Sequence, residues 1–224
     1  MEKTKKTKVG VLFTGGKDSC LALHRYGKKN IDVLLSMIPE NKDSFMFHSP
    51  DLRLLKKQAE MLELPLIMQK TRGEEEKELE DLKKMIKKSK VKKLIIGGIQ
   101  SIYQVKRIKR ICSELRIRVE APLWDYDTGK LWKELLEEGF KVIIVKIASE
   151  GIPKEFIGKI LEVGDIVELV KLSRKYGFRM DFEGGDAETS VLYMPGFKRE
   201  IKIEYDIESE DVCRHFLKIK EIKI

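Results

Sequence analysis

Residues 13–19 read Phe13-Thr14-Gly15-Gly16-Lys17-Asp18-Ser19, between an apolar run at 9–13 and an amphipathic run at 20–24. That order predicts a strand, a tight turn and a helix. Two adjacent glycines let the turn adopt positive φ and bring the main chain close to a ligand. The helix directs its free N–H groups and its positive dipole end at the same point. We therefore predict a phosphate-binding loop, with Lys17 as a mobile cation and Thr14 and Ser19 as hydroxyl donors.

The common phosphate loop G-x-x-x-x-G-K-[ST] does not describe this segment, because Lys17 directly follows the glycine pair and Asp18 comes next. The order hydroxyl-Gly-Gly-x-Asp-Ser resembles the pyrophosphate loop of the N-type ATP pyrophosphatases, with Thr14 where that family usually has serine. This resemblance implies an enzyme that cleaves ATP between the α and β phosphates and passes AMP to a carboxyl or carbonyl oxygen. The alternative is a glycine turn that binds nothing.

The first half of the chain alternates short apolar runs with helical patterns. The runs are rich in Val, Ile and Leu, as is typical of buried parallel strands. Strands are predicted at 9–13, 31–38, 64–68, 93–96 and 117–120. The second helix is predicted to have Ser49 as its cap and Pro50 and Asp51 in its first turn. The alternation predicts an α/β fold with a doubly wound, mostly parallel sheet, whose ligands bind at the carboxyl ends of the strands.

The pattern changes near residues 124–129, where turn residues cluster. We place a domain boundary there, with an ATP-binding domain at 1–125 and a smaller, substrate-binding α+β domain at 126–224. The second unit is predicted to contain a helix at 130–138, a strand at 140–147, a helix at 165–176 and an alternating β tail from about 191. We expect it to close over the strand ends of the first unit.

Composition limits the classes of function. Charged residues make up 37% of the 224, and the net charge is +8. A basic excess is typical of nucleic-acid binding or of a Lys- and Glu-rich thermophile surface. The charge is dispersed, which argues against a nucleic-acid partner. Three scattered cysteines, Cys20, Cys112 and Cys213, predict neither a zinc site nor a disulfide framework. No apolar span or signal peptide is evident, so we expect no membrane association and a cytoplasmic protein.

Four further segments carry candidate site residues, each at the predicted end of a strand. They are 43–50 with His48, 97–107 with paired glycines before a helix, 121–124 with Trp124, and the acidic turn at 181–189. Each segment also has a simpler interpretation. In the same order, these are a packed loop around His48, a solvated helix face, core packing at the domain boundary, and a solvated turn. Clustered acids and glycines such as those at 181–189 also bind cationic groups or Mg²⁺.

Taken together, T-G-G-K-D-S, F-M-F-H-S-P, G-x-I-x-S-x-Y-Q-x-x-R, A-P-L-W and E-G-G-D-x-E-T resemble the archaeal form of the diphthine–ammonia ligase family, in the same order along nearly the whole chain. The family usually has glutamate where this chain has Asp186. The resemblance implies an adenine nucleotide α-hydrolase-like, Rossmann-like fold. It also implies ATP-dependent amidation of diphthine on translation elongation factor 2 with ammonium, through an acyl-adenylate, which gives diphthamide, AMP and pyrophosphate.

The resemblance also implies roles for individual residues. Lys17, Asp18 and Ser19 are the expected catalytic residues, and the nucleotide is expected at Thr14, Gly15, Gly16, Lys17, Asp18, Ser19, Gly97 and Gly98. The expected substrate-binding residues are His48, Ser101, Tyr103, Gln104, Arg107, Trp124, Glu183, Gly184, Gly185, Asp186, Glu188 and Thr189. Mg²⁺ is expected with ATP, although its ligands stay open, and a homodimer is also left open.

The charge of the implied substrate suggests one further hypothesis. Diphthine carries a trimethylammonium group, which aromatic faces and carboxylates recognise. We expect the acidic turn to bind it, with help from Phe45, Phe47, Tyr103 and Trp124. Two rival functions remain. One is another adenylating enzyme with this loop, acting on a tRNA or a small molecule. The other is a module that binds ATP without cleaving it, similar to universal stress proteins.

Overall fold

The computed structural model describes residues 7–40, 51–72, 75–98 and 102–224, with the backbone alone at 75 and 102–104. The described part of the first half contains five strands and four α-helices. The strands are β1 (Val9–Leu12), β2 (Val33–Pro39), β3 (Leu66–Thr71), β4 (Lys93–Ile95) and β5 (Arg118–Glu120). The helices are α1 (Lys17–Tyr26), α2 (Leu52–Leu62), α3 (Glu75–Ser89) and α4 (Ile102–Glu114).

These strands form a parallel sheet in the order β3-β2-β1-β4-β5. Strand β1 is central, since Val11 pairs with Leu34 of β2 on one side and Ile95 of β4 on the other. The chain runs outward from β1 through β2 to β3 and then returns to place β4 on the opposite side of β1. The point of reversal between β1 and β4 is the topological switch point, where such sheets bind ligands. The predicted α/β class with a doubly wound parallel sheet is confirmed.

The second half forms a smaller antiparallel sheet with two helices. Its elements are α5 (Thr128–Glu137), β6 (Lys141–Ile147), α6 (Val163–Tyr176), β7 (Ala187–Tyr193), β8 (Lys202–Ser209) and β9 (His215–Lys223). The strand order is β7-β6-β9-β8. The predicted C-terminal α+β unit is therefore present.

The two sheets share one hydrophobic core. Phe13 and Leu21 from the first sheet and its helix α1 lie in the same buried cluster as Leu131 and Val191 from the second half, and all four are 0% exposed. A separate cluster covers the opposite face of the first sheet, beneath α3 and α4. The halves are thus packed face to face. The division of the chain at residue 125 stays a prediction.

Several predicted boundaries differ from the structure by a few residues, for example that of β3, predicted at 64–68 and found at 66–71, and two of the differences bear on the site. Helix α2 begins at Leu52, and Asp51 is its cap, with Oδ1 accepting hydrogen bonds from the N–H groups of Arg53 and Leu54 at 2.8 and 3.2 Å. Residues 49 and 50, predicted as cap and first turn, lie outside the described residues. Strand β7 begins at Ala187, so the end of the predicted acidic turn is extended strand. Within the described part of the chain, no helix is both long and apolar enough to cross a bilayer.

Candidate active site

The loop after β1 is folded by its own hydroxyl groups. Gly15 has φ +76°, a left-handed conformation that favours glycine, and Gly16 caps helix α1. The Ser19 hydroxyl donates to the Gly16 carbonyl at 3.1 Å and accepts from the Thr14 N–H at 3.3 Å. The Thr14 and Ser19 hydroxyl oxygens lie 3.2 Å apart. Both hydroxyls therefore shape the loop, and the first turn of α1 faces the switch point beside β4.

The glycine after β4 lets that strand approach the loop. A Cβ atom placed on Gly97 would lie 2.7 Å from the Asp18 carbonyl carbon and the Ser19 nitrogen, both of which are backbone atoms. The same addition at Gly98 would meet the Val105 side chain at 3.0 Å. We expected both glycines to admit a ligand. At Gly97 the structure shows a second reason why the residue is glycine: the backbone of Asp18 and Ser19 occupies the position that a Cβ atom would need.

Strand β7 of the second sheet holds the loop from the other side. The Val191 N–H donates to the Gly15 carbonyl at 3.0 Å. The Lys17 N–H donates to the Thr189 hydroxyl at 3.2 Å. Thr189 was predicted to bind substrate, and here its hydroxyl supports the loop. These two bonds place the glycine loop and the acidic turn, which continues directly into β7, side by side.

Gln58 on α2 joins the loop to β7 and was not predicted. Its side chain is 1% exposed. Its amide nitrogen Nε2 lies 2.9 Å from the Gly15 carbonyl oxygen, 2.8 Å from that of Val191 and 3.1 Å from the Ser190 hydroxyl. The available signal was its position on the buried stripe of α2, between Leu55 and Leu62. A polar residue on such a stripe needs a buried hydrogen-bond partner.

The Lys17 ammonium lies between the loop and the acidic turn, and its side chain is 2% exposed. Its Nζ atom donates to the Asp181 carbonyl at 2.5 Å and to the Asp18 carboxylate at 2.9 Å. It also lies 5.5 Å from the Phe182 ring centroid and 6.0 Å from that of Trp132. In this structure Lys17 is buried and held by these partners, and the expected movement of its ammonium group toward a ligand stays a prediction.

Asp18 carries the charge that faces Lys17. Its Oδ1 atom is buried and has no hydrogen-bond partner among the described residues. Burial raises the pKa of this carboxyl group, Lys17 partly opposes the rise, and the charges of Glu183 and Asp181 add to it. Since these carboxylates influence one another, the loop and the acidic turn form one electrostatic unit.

Within the acidic turn, Asp181 is a structural anchor. Its carboxylate is 3% exposed and accepts bonds from Arg179 Nε at 3.0 Å and from the Glu183 N–H at 2.9 Å. Asp186 closes the turn, because its Oδ2 atom accepts the Arg179 N–H at 2.9 Å. Gly184 and Gly185 have φ of +105° and +93°, the left-handed region in which glycine is unstrained.

Glu188 has a partner within the second sheet. Its carboxylate lies 3.0 Å from the Lys146 ammonium on the neighbouring strand β6. The acids predicted in this segment therefore divide between structural pairs and the site, and the charges of Glu183 and Asp181 both raise the pKa of Asp18.

Arg179→Met is expected to make the fold more sensitive to acid. Burial alone raises the pKa of Asp181, but hydrogen bonds from Arg179 and from the Glu183 amide outweigh it and leave that pKa lowered. A carboxyl group with a lowered folded-state pKa stabilises the protein above its ordinary pKa of about 3.9, and this contribution is lost as the pH falls through the lowered value.

The variant removes the main donor, so the pKa of Asp181 rises and acid unfolding begins at higher pH. At neutral pH we expect a loss of about 1–2 kcal/mol, reduced because Arg179 is half exposed. Urea unfolding at pH 7 and across an acid titration measures both effects. Arg199→Met, at another exposed arginine, is the control. Identical acid curves for the two variants would contradict this role of Arg179.

The substrate-binding roles of the remaining predicted residues stay predictions. His48 and Ser101 lie outside the described residues, as do Phe45 and Phe47. Tyr103 and Gln104 lie in α4, where only their backbone is described, and Arg107 is a partly buried residue of the same helix. Trp124 is 41% exposed, and its ring centroid lies 5.8 Å from the Lys109 ammonium.

Leu123 and Pro122 contact the core and helix α1, and the predicted role of the segment around Trp124 as a pocket wall stays a prediction. Leu123 is fully buried in the shared core. The Pro122 carbonyl accepts a hydrogen bond from Arg25, near the end of α1 that is remote from the loop. Leu123 therefore agrees with the alternative prediction for this segment, which was that it packs in the core. The role of Trp124 in substrate binding stays a prediction.

Among the residues that the structure describes, no group of three or more His, Cys, Asp or Glu side chains is arranged to hold a metal ion. Mg²⁺ commonly retains water and takes substrate phosphates as ligands, with only one or two carboxylates. The described residues therefore offer no dedicated magnesium cage, and we assign the ion no ligand in the chain.

The comparisons with family models and with sequence relatives indicate the same family. The family model described as "Diphthamide synthase N-terminal domain" matches residues 7–119, and "Diphthamide synthase C-terminal domain" matches residues 127–224. A Schizosaccharomyces pombe protein named diphthine–ammonia ligase is 32% identical over 95% of this chain, which spans 39% of that protein's length. Proteins of the same name from Rattus norvegicus and Homo sapiens are each 30% identical over 88% of this chain. This chain spans 83% of the length of each of them.

A solved Methanocaldococcus jannaschii structure titled "predicted subunit of tRNA methyltransferase" aligns over 87% of this chain and 99% of its own, with 19% identity and a TM-score of 0.43, too low to carry an argument. The family models and the sequence relatives agree with the motifs that led to the same resemblance. The chain therefore belongs to the diphthamide synthase family.

Proposed function

We propose that this chain is a diphthine–ammonia ligase. It amidates the diphthine carboxylate of translation elongation factor 2 with ammonium and converts ATP to AMP and pyrophosphate. Family membership supports this activity, as do full-length relatives with that name. The observation that carries the proposal is the clasp between the glycine loop and strand β7, formed by the Val191–Gly15 and Lys17–Thr189 hydrogen bonds. The clasp puts a nucleotide loop beside an acidic turn suited to a cationic substrate.

The nucleotide site in this proposal is the loop at the switch point. The β and γ phosphates lie against residues 14–19 and beside Gly97 and Gly98. The N-terminal amides and the dipole of α1 stabilise the negative charge. Lys17 reaches the phosphates by turning away from the Asp181 carbonyl, a rotation that its flexible four-carbon stem allows. Thr14 and Ser19 contribute mainly by holding the loop, since their hydroxyls already bond within it.

The reaction needs no nucleophile from the protein. The substrate carboxylate attacks the α-phosphate, pyrophosphate leaves, and an acyl-adenylate forms. Ammonia then attacks the acyl carbon and AMP leaves, which gives the amide. The protein's contribution is to align three reactants and to stabilise charge on the phosphate oxygens. Mg²⁺, when bound with ATP, neutralises part of that charge. We propose that a carboxylate such as Asp18 or Glu183 accepts the proton that ammonium must lose.

The protein substrate approaches from the acidic turn. We propose that Glu183 and the turn glycines Gly184 and Gly185 receive the trimethylammonium group, with Asp186 and Glu188 shaping the turn through their own pairs. His48, Ser101, Tyr103, Gln104, Arg107 and Trp124 complete the proposed substrate surface. We also propose that the protein acts in the cytoplasm, where its substrate resides, and that a homodimer is compatible with this surface.

Glu183→Gln is expected to raise the KM for the protein substrate several-fold and to leave the KM for ATP unchanged. The change removes one negative charge and keeps the size of the side chain, so the attraction for a quaternary ammonium group weakens. Steady-state AMP release with each substrate varied in turn measures both constants. Glu80→Gln, at an exposed acid on α3, is the control. Equal loss of affinity for ATP and for the protein substrate would defeat the assignment.

The proposal is tested by mixing the protein with ATP, ammonium and elongation factor 2 that carries diphthine. We expect AMP to form only when all three are present, and the factor to gain an amide detectable by mass spectrometry. AMP formation stimulated by tRNA instead would favour another adenylating enzyme. ATP that is bound but never cleaved to AMP, with every substrate present, would favour a non-catalytic module.

A further inference from the structure

The Lys17 ammonium occupies a compartment that we call the cation box. Its walls are the Asp181 carbonyl, the Asp18 carboxylate and the rings of Phe182 and Trp132. The two oxygens lie 2.5 and 2.9 Å from Nζ, and the two ring centroids lie 5.5 and 6.0 Å away. Both ring distances are within the range of a cation–π interaction.

The walls of the box are themselves held in place. The Phe182 ring meets Trp132 edge-on, with centroids 5.8 Å apart. The Trp132 indole N–H donates to the Met180 carbonyl at 2.7 Å. Phe182 and Trp132 are 4% and 2% exposed. These contacts within the second half hold the two aromatic walls of the box in place, and none of them involves the cation.

The chemistry of the box suits a small nitrogen cation. It presents a carbonyl, a carboxylate and two aromatic faces within one enclosed space, and Asp18 Oδ1 is a buried acceptor without a partner among the described residues. Lysine offers three N–H donors, whereas free ammonium offers four. The residues that form the box include none of Glu183, Gly184 and Gly185, which we propose receive the trimethylammonium group. The box is thus distinct from the surface proposed for the protein substrate.

We propose that the cation box binds the ammonium ion consumed in the reaction, and that Lys17 fills it while the nucleotide loop is empty. This inference rests on the proposed function. Triphosphate draws the Lys17 ammonium toward the loop and vacates the box, which free ammonium then enters. The substrates therefore add in order, with ATP before ammonium.

The first test measures binding without activity. Lys17→Ala empties the box, and Lys17→Met removes the same charge but fills the space with an apolar stem. Thermal unfolding of both variants is compared in ammonium, potassium, sodium and tetramethylammonium chloride at equal ionic strength. We expect ammonium alone to raise the Tm of Lys17→Ala, because a ligand that binds only the folded state stabilises it, and not to raise the Tm of Lys17→Met. An equal effect of potassium, or no ammonium effect, would overturn the proposal.

The second test uses the intact box during turnover. Phe182→Leu removes one aromatic wall, and Phe178→Leu changes an equally buried phenylalanine, 4% exposed, that does not form part of the box. In the AMP-release assay we expect Phe182→Leu to raise the KM for ammonium about tenfold and to leave the KM for ATP unchanged. Phe178→Leu should change neither constant. An unchanged ammonium KM, or a parallel rise in the ATP KM, would contradict the assignment.

The two tests separate failure of this inference from failure of the proposed function. If no AMP forms with any substrate, the ligase assignment fails, while the salt-dependent unfolding of Lys17→Ala still reports on the box. If AMP forms as proposed but neither the Tm nor the ammonium KM responds, the function stands and the ammonium site is wrong.

Discussion

Replacing Gly97 by alanine is expected to lower kcat/KM for ATP about a hundredfold, because a small displacement of reacting groups can cost that much. The new Cβ atom would lie 2.7 Å from the backbone of Asp18 and Ser19, where no flexible side chain can yield. The loop must shift, and its amides and hydroxyls shift with it. Overpacking at this contact should also lower the free energy of unfolding by about 2 kcal/mol.

Gly164→Ala is the matched control for Gly97→Ala. Gly164 lies in the first turn of α6, and an added Cβ atom there meets no atom within 4 Å. Alanine at that position should leave catalysis unchanged and stabilise the helix by up to about 1 kcal/mol. ATP-dependent AMP release and urea unfolding of both variants give the comparison. Normal activity in Gly97→Ala would show that the loop tolerates displacement, and would contradict its proposed role.

Gln58→Leu is expected to destabilise the fold by about 2–3 kcal/mol and to raise the KM for ATP about tenfold. Leucine keeps the approximate size of the side chain but removes an amide that bonds Gly15, Ser190 and Val191. Buried carbonyls that lose their donor cost about 1–3 kcal/mol each. The Gly15 carbonyl then keeps the Val191 N–H as its main donor, and the loop loses part of its preorganisation.

Gln69→Leu supplies the control for this change, since among the described residues the Gln69 amide donates to a surface carbonyl, that of Lys70. It should leave stability and the ATP KM nearly unchanged. Urea unfolding with and without ATP, together with AMP release, distinguishes the two effects of Gln58→Leu. A variant that loses stability but binds ATP normally would make Gln58 a structural residue alone.

The parallel sheet was predictable because its information is local. Each strand is a short apolar run flanked by turn residues, and β1 leads directly into the glycine loop. The start of α2 was harder, because Ser49, Pro50 and Asp51 all suit a helix start. Asp51 is the cap because its carboxylate reaches two amides of the first turn. The start of β7 was missed because glycine and acidic residues immediately precede it.

The candidate site was predictable in its parts but not in its connections. The motif at residues 14–19 predicts a loop, and the acidic residues at 181–189 predict a charged surface. Nothing local indicates that Thr189 accepts the Lys17 amide 172 residues earlier, or that Gln58 bonds β7 132 residues later. The burial of Lys17 is equally non-local, since Trp132 and Phe182 surround it only after the second half has folded.

The bonds from β7 and Gln58 to the Gly15 carbonyl mean that the C-terminal half helps to hold the loop that we propose binds the nucleotide. We therefore expect a mutation near position 190 that displaces β7 to alter ATP use as well as the acidic turn. Under the proposed function, selection on ATP binding and selection on recognition of the protein substrate would act on the same strand.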